Sequence, residues 1–288
     1  MPAARRRRAS APGRALALAA WAAGAALLVP ATGLAQAPAP RATLPGVTIT
    51  YDPIADPVEK SYRRMVRGMD LFERERARSP QGQLRFKLLP RKPGVDLDRL
   101  ELLVLGASVE IPLAVAPDRS FVLPRNAKAW AEDAKVTPDR KALTMTWRAE
   151  VRTPGLPPGT RRLGDLRLEC RVGMEAGLYS NSPSFITRIF SELSTTPAYC
   201  GSEGNRYLLF ADRPIFGVTL VSGERRETVP AARLWAGAID EANLARELPY
   251  CDCEVLLDRT YFLPLADAGW PDETRVVFDY MEAHDAAQ

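Results

Sequence analysis

Alternation of apolar and polar residues predicts β-structure along most of the chain. Leu84–Leu88 alternates, and so does Met145–Val151, where Thr144, Thr146, Arg148 and Glu150 face the other way. Further short runs predict strands at 100–105, 109–115, 120–123, 166–172, 206–211, 216–221 and 226–229. Many short strands separated by turns are typical of β-sandwich-like domains.

One segment follows helical spacing instead. Asp56-Pro57-Val58-Glu59 combines an N-cap residue, a proline in the first turn and a glutamate three positions after the cap, which predicts a helix start. An apolar stripe follows, made of Val58, Tyr62, Met65, Val66, Met69 and Phe72. We expect this helix to end near Arg78 and to lie against its own sheet, with partner binding as the alternative. Shorter helices are predicted at 182–193 and 240–248.

The proline- and glycine-rich stretch from Thr153 to Thr160 cannot continue a sheet interior and is the best candidate for a linker. The predicted fold is therefore mainly β (α+β in detail). It has two β-sandwich-like domains of immunoglobulin or transthyretin type, an N-terminal amphipathic helix and short accessory helices. The predicted divisions are a signal peptide at 1–37, an extended proline-rich segment at 38–55, and domains at 56–155 and 156–288.

The first residues have the pattern of an export signal. An arginine-rich start precedes an apolar run from Ala15 to about Val29, and Ala35-Gln36-Ala37 offers small residues for cleavage near Ala37. Pro30 and Gly33 interrupt the apolar run, so it is too short to span a bilayer. We expect a periplasmic or secreted protein with no transmembrane segment in the mature chain. An uncleaved N-terminal anchor is the alternative.

Removal of this segment changes the charge. The chain has 39 Lys and Arg against 35 Asp and Glu, and residues 1–37 hold five Arg and no acid, which leaves a net charge of −1. A basic nucleic-acid-binding surface is therefore not supported, and no nucleic-acid partner is expected.

Two 19-residue stretches, Asp118–Val136 and Asp258–Val276, match at six positions and predict an internal repeat. We interpret each as a hairpin: an alternating strand at 109–115 or 251–255, a turn at Asp-Arg, a second strand, and a Leu-Pro exit. Trp130 and Trp270 hold the same place in the two copies. They are expected to be buried plugs, and ligand-binding aromatic platforms are the alternative.

The region after the signal contains four cysteines, and an even number in an exported protein predicts two disulfides. The four are Cys170, Cys200, Cys251 and Cys253. Cys251 and Cys253 would lie on one face of a strand, about 6.5–7 Å apart, at or beyond disulfide reach. Each is therefore expected to pair with Cys170 or Cys200. A redox-active or metal-binding Cys-Asp-Cys pair is the alternative.

Several kinds of catalysis are excluded because the chain has one histidine, His284. This histidine lies four residues from the C-terminus, which argues against Ser-His-Asp and Cys-His catalysis in any ordinary form. A multi-histidine metal site needs more than one histidine, and no phosphate-binding glycine loop is present. No catalytic residue, cofactor or metal is expected. Carboxylate-pair catalysis stays open, and Asp267, Asp272 and Glu273, near Trp270, are the first candidates for it or for ligand binding.

The function predicted from these observations is an exported, soluble, non-catalytic binding or envelope-associated protein. Its ligand would be an unknown protein, peptide or glycan. Two alternatives remain: a carboxylate-dependent hydrolase acting on an envelope glycan, which needs two carboxylates in one cleft, and a structural assembly subunit, which needs an exposed apolar patch.

Overall fold

The computed structural model describes residues 59–90, 94–140, 144–178, 196–203, 207–235 and 257–281. All of them belong to one compact unit, Tyr51–Gln288. The strands are β1 (Lys60–Ser61), β2 (Gln83–Pro90), β3 (Leu102–Leu105), β4 (Glu110–Pro112), β5 (Ser120–Phe121), β6 (Lys135–Pro138), β7 (Met145–Arg152), β8 (Thr160–Arg162), β9 (Leu209–Phe210), β10 (Ile215–Ser222), β11 (Arg225–Thr228), β12 (Thr260–Tyr261) and β13 (Arg275–Tyr280). The helices are α1 (Tyr62–Arg74), α2 (Ala127–Ala131) and α3 (Leu163–Ala176). The chain is mainly β with few helices, as the alternation predicts.

The described strands form four antiparallel sheets, in the orders β1-β6-β3-β4, β5-β2-β7, β11-β10-β13-β8 and β12-β9. The first two sheets use strands that precede Thr153, and the other two use strands that follow Gly159. The stretch between them is irregular, and Gly155 and Gly159 have φ of +78° and +69°. These values lie in the left-handed region that glycine adopts without strain. The division into domains at 155/156 stays a prediction.

Two hydrophobic clusters form the interior, and α3 contributes to both. Leu168, Val172 and Ala176 belong to the first cluster, with α1 and strands β2 and β7. Leu166 and Cys170 belong to the second, with β10 and β13. The helix therefore lies between the two sets of sheets. No helix among the described residues is long and apolar enough to cross a membrane.

Helix α1 confirms the predicted amphipathic helix but not its predicted start. Residues Lys60 and Ser61 are extended and pair with β6, so the helix begins at Tyr62. The Ser61 hydroxyl accepts a hydrogen bond from the Arg64 backbone N–H and caps the helix. The proposed cap, Asp56, lies outside the described residues. The apolar stripe packs inward, as expected for a helix that lies on its own core.

The strand predicted at 166–172 is wrong, because this segment is the middle of α3. Alternation arose because Arg167 and Glu169 interrupt the apolar residues, but both charged side chains are also buried. A helix surrounded by protein on nearly every side does not show a single apolar stripe. Its charged residues are paired inside the protein, which a periodicity argument does not anticipate.

The first predicted hairpin is also wrong, although its turn is present. The Arg119 N–H donates to the Ala116 carbonyl across the turn, and Asp118 accepts hydrogen bonds from Ser120. However, β4 pairs with β3 whereas β5 pairs with β2, so the two strands enter different sheets. In the second copy β12 pairs with β9, and the proposed partner strand at 251–255 lies outside the described residues. The predicted helices at 182–193 and 240–248 lie there too.

Candidate functional site

A cavity of about 640 Å³ opens beside β2 and β7, facing the segment 207–212. Its volume is within the range of ligand-binding pockets, about 300–1,000 Å³. Strand β8, helix α3 and the turn at Pro117–Arg119 complete the wall. We call this space the charged cavity.

Ten of the eighteen residues that line the charged cavity are acidic or basic (Asp, Glu, Lys or Arg), so a wholly apolar ligand would leave buried charges without solvation. The cations are Lys87, Arg119, Arg148, Arg152, Arg161 and Arg259, and the carboxylates are Asp118, Glu150, Glu169 and Asp212. Six positive charges against four negative charges give a lining of net charge +2.

The polar face of β7 supplies the centre of this cavity. Arg148, Glu150 and Arg152 alternate with buried apolar residues along the strand, so they share one face. That face was visible in the sequence as the polar side of an alternating strand. It was missed as a site because an alternating strand gives no sign of what covers its polar face.

Four of the cavity's side chains form one network of ion pairs. Arg152 Nη2 lies 2.9 Å from Glu150 Oε1 and 2.5 Å from Asp212 Oδ1. Lys87 Nζ lies 3.1 Å from Glu150 Oε1 and 3.5 Å from Asp212 Oδ1. Burial alone would raise the pKa of Asp212, but Arg152 outweighs burial and holds this pKa below its usual value. The aspartate is therefore charged at neutral pH.

A second ion pair, Arg161 with Glu169, lies deeper and joins β8 to α3. Glu169 Oε1 also accepts from the Val151 N–H at 2.8 Å, and Arg161 Nη2 donates to the Val151 carbonyl at 2.6 Å. Burial raises the pKa of Glu169, although Arg161 opposes that effect. Burial by itself would lower the pKa of Arg161, but Glu169 outweighs it and raises this pKa, so the guanidinium stays charged.

The aromatic side chains of the segment 207–212 contribute a donor and a platform. The Arg148 guanidinium lies over the Phe210 ring, 4.5 Å from its centroid, and donates to the Leu178 carbonyl. Tyr207 donates to the Glu169 carbonyl at 3.4 Å. Burial raises the pKa of Tyr207 to about 12, so its hydroxyl keeps its proton and remains a donor.

The arginines of both Asp-Arg pairs of the repeated stretch line the charged cavity. Arg119 lies at the cavity wall with Asp118, and Arg259 enters from the second copy. Arg259 Nη1 donates to the Asp212 carbonyl at 3.0 Å, and its buried Nε has no hydrogen-bond partner among the described residues. Sequence reasoning assigned these pairs to turns alone. The recurrence of Arg at the same place in both copies was the signal that could have identified them.

Trp270 is 1% exposed, and the Arg225 guanidinium lies 3.6 Å from the centre of its ring. The carboxylates of the three acids singled out near it have different partners. Asp272 lies 2.6 Å from Arg167, and Glu273 lies 3.3 Å from Arg162. Asp267 accepts from the Gly269 N–H. None of these four residues lines the charged cavity, and a ligand-binding role for them stays a prediction.

Trp130 is 38% exposed, unlike its counterpart Trp270. It borders a smaller cavity of about 370 Å³, with Tyr62, Asp70 and Arg125. We call this space the Trp130 cavity. It shares no lining residue with the charged cavity. A ligand-binding role for the Trp130 ring stays a prediction.

A disulfide joins Cys170 of α3 to Cys200 in the 3-10 turn Pro197–Gly201. The predicted pairing of Cys170 and Cys200 with Cys251 and Cys253 is therefore wrong. It rested on the distance between Cys251 and Cys253, which says nothing of whether Cys170 can pair with Cys200. The Cα atoms of Cys170 and Cys200 are 5.9 Å apart. Cys251 and Cys253 lie outside the described residues.

Comparisons of this chain with protein-family models, curated proteins and solved structures found no match.

Proposed function

We propose that this chain is an exported, non-catalytic binding protein of a bacterial periplasm, and that its ligand occupies the charged cavity. The observation that carries this proposal is a ligand-sized space whose polar groups converge from distant parts of the chain. Concave sites with a few fixed polar groups are the usual form of small-molecule sites.

Two of the cavity's cations, Arg152 and Arg161, are held in place before any ligand arrives. Arg152 is fixed by Glu150 and Asp212, and Arg161 is fixed by Glu169 and the Val151 carbonyl. A side chain that is already ordered loses less entropy when it binds a ligand. This arrangement favours recognition of a polar ligand.

Export is supported by two independent features. The first 37 residues have the composition of a signal peptide, and Cys170 and Cys200 form a disulfide. Disulfides persist in oxidising compartments such as the periplasm and are rare in the cytosol.

A non-catalytic role is supported by the state of the cavity's carboxylates. Glu150, Asp212 and Glu169 each accept a hydrogen bond from an arginine. Arg152 also holds the pKa of Asp212 below its usual value, which opposes proton exchange between Asp212 and a substrate. These carboxylates are better suited to orienting cations than to general acid or base chemistry.

A carboxylate-dependent hydrolase acting on an envelope glycan is the second candidate. It is favoured by Glu169, whose pKa is raised by burial and which lines the same cavity as Asp118. Incubation with envelope glycans separates the two candidates. A hydrolase releases new reducing ends and loses this activity in Asp118→Asn, whereas a binding protein releases none.

The proposal also includes the division of the chain into two related domains. Residues 56–155 and 156–288 form two β-sandwich-like domains related by the repeated stretch. In support, β5 and β12 hold the same place in the two copies, and both residues of each strand are buried. The domains would share α3, which contributes to both cores. An experimental structure in which the two sheets of either half did not pack face to face would contradict this assignment.

The binding proposal is tested by screening the purified protein on peptide and glycan arrays. Leu89→Trp, which places a large side chain in the charged cavity, is expected to abolish the specific signal. The control is Trp130→Ala, which changes only the Trp130 cavity and is expected to keep the signal. A signal that survives Leu89→Trp, or no specific signal at all, would contradict the proposal.

A further inference from the structure

We infer that the ligand of the charged cavity is a small molecule with a single carboxylate group, and that this carboxylate binds the Arg259 guanidinium. This inference rests on the proposed function, since it names the class of ligand for the same site. It is argued from the distribution of charges, from the contacts of Arg259 and from the apolar part of the wall.

The charges of the cavity are compensated unevenly. Lys87 and Arg152 share two carboxylates, Glu150 and Asp212. Arg161 is neutralised by Glu169. These pairs remove three positive and three negative charges from the balance of the cavity.

Arg259 belongs to none of these pairs. Among the described residues, the Arg259 side chain donates a hydrogen bond from Nη1 to the neutral backbone carbonyl of Asp212. Within the part of the chain that the structure describes, the buried Nε has no hydrogen-bond partner, so the guanidinium retains hydrogen-bonding capacity as well as its charge. Arginine presents its N–H groups as a planar fork that matches the two oxygens of a carboxylate.

Arg119 adds positive charge at the same wall and is weakly compensated. Its partner Asp98 lies 3.8 Å away, and the Asp98 side chain is 79% exposed. An exposed ion pair of this kind is screened by water and salt. The field at this side of the cavity therefore favours an anion.

The neighbouring carboxylates limit how much negative charge the cavity accepts. Asp118 lines the same wall, and Glu150 and Asp212 lie against Lys87 and Arg152. Like charges at close range disfavour each other, so a dianionic phosphate monoester meets more repulsion here than a monoanionic carboxylate. The charge balance therefore selects a carboxylate.

The rest of the ligand faces an apolar surface. Leu89, Pro117, Leu209 and Phe210 line the cavity beside the charged groups. A carboxylate attached to a partly apolar body satisfies both sides of the site. The Tyr207 hydroxyl donates its proton to the Glu169 carbonyl, so its oxygen can accept a hydrogen bond from a polar group of that body.

The experiment measures dissociation constants by calorimetry for matched acid and neutral probes. The pairs are N-acetyl-leucine with N-acetyl-leucinamide and galacturonate with galactose, and phenyl phosphate supplies the dianion. At least one acid is expected to bind at least tenfold more tightly than its neutral partner and than phenyl phosphate.

Variants connect this preference to Arg259. Arg259→Gln is expected to weaken binding of the acid at least tenfold and to remove its advantage over the neutral probe. Arg259→Lys keeps the charge without the planar fork and is expected to recover part of the affinity. Arg226→Gln, the same change at an exposed residue of β11, is expected to change nothing. Thermal melting checks that each variant is folded.

Two results would overturn the inference while leaving the proposed function intact. One is equal binding of acid and neutral probes that is lost in Leu89→Trp. The other is tighter binding of phenyl phosphate than of both acids, again lost in Leu89→Trp. If no probe binds, the carboxylate inference is overturned, and the array experiment decides whether the cavity binds another ligand.

Discussion

At the scale of single residues, the burial of Arg161 and Glu169 depends on their mutual contact. Arg161 is 6% exposed and bridges the Val151 carbonyl and Glu169. Removing one member of a buried ion pair leaves the other charge uncompensated in a low-dielectric interior.

Glu169→Ala is therefore expected to lower the free energy of unfolding by about 3–5 kcal/mol. The matched control is Glu175→Ala on the same helix, where the partner Arg67 is 50% exposed at 3.5 Å. That change is expected to cost about 0–1 kcal/mol. Urea denaturation measures both values. Equal losses of stability for the two variants would contradict the buried position of the Arg161–Glu169 ion pair.

The two tryptophans of the repeated stretch provide another matched pair. Trp270 is almost fully buried in the second core, whereas Trp130, a residue of α2, is partly exposed. Trp270→Ala is expected to destabilise the protein by about 3–5 kcal/mol, and Trp130→Ala by less than half of that. The midpoints of chemical denaturation test this order. A larger loss of stability in Trp130→Ala than in Trp270→Ala would contradict the buried position of Trp270.

At the scale of elements, α3 shows where prediction from periodicity fails. The alternation at 166–172 is real, but the helix is enclosed by α1, β7 and the 3-10 turn Pro197–Gly201. Its charged residues find partners within the protein, such as Asp272 for Arg167 and Glu75 for Arg171. Strands β2 and β7 were predicted correctly, because every second residue of each strand enters the hydrophobic core and the residues between them are mostly polar.

The disulfide fixes α3 to the 3-10 turn that contains Cys200. Closing a loop of 30 residues restricts the unfolded chain. The chain-entropy estimate for such a loop is about 3–4 kcal/mol. The double variant Cys170→Ala/Cys200→Ala is expected to lose about that much stability in guanidinium denaturation. An unchanged midpoint would mean that this bond does not stabilise the fold.

At the scale of the whole molecule, the charged cavity could not have been predicted from local sequence. Its wall brings together Lys87, Glu150, Asp212 and Arg259, which are far apart in the chain and lie in different elements. Each is unremarkable where it occurs, in an alternating strand or a turn. What the sequence did predict was the mainly β class, the amphipathic α1, the polar face of β7 and the recurrence of Asp-Arg. It could not predict which of these faces meet.

The most direct test of the central claim is the location of the ligand. Hydrogen–deuterium exchange is measured with and without the probe or array ligand that binds most tightly. Slower exchange is predicted at 117–119, 148–152, 207–212 and 257–259, the backbone that surrounds the charged cavity. Protection confined to the backbone around the Trp130 cavity, with none at 207–212, would contradict the claim that the charged cavity is the binding site.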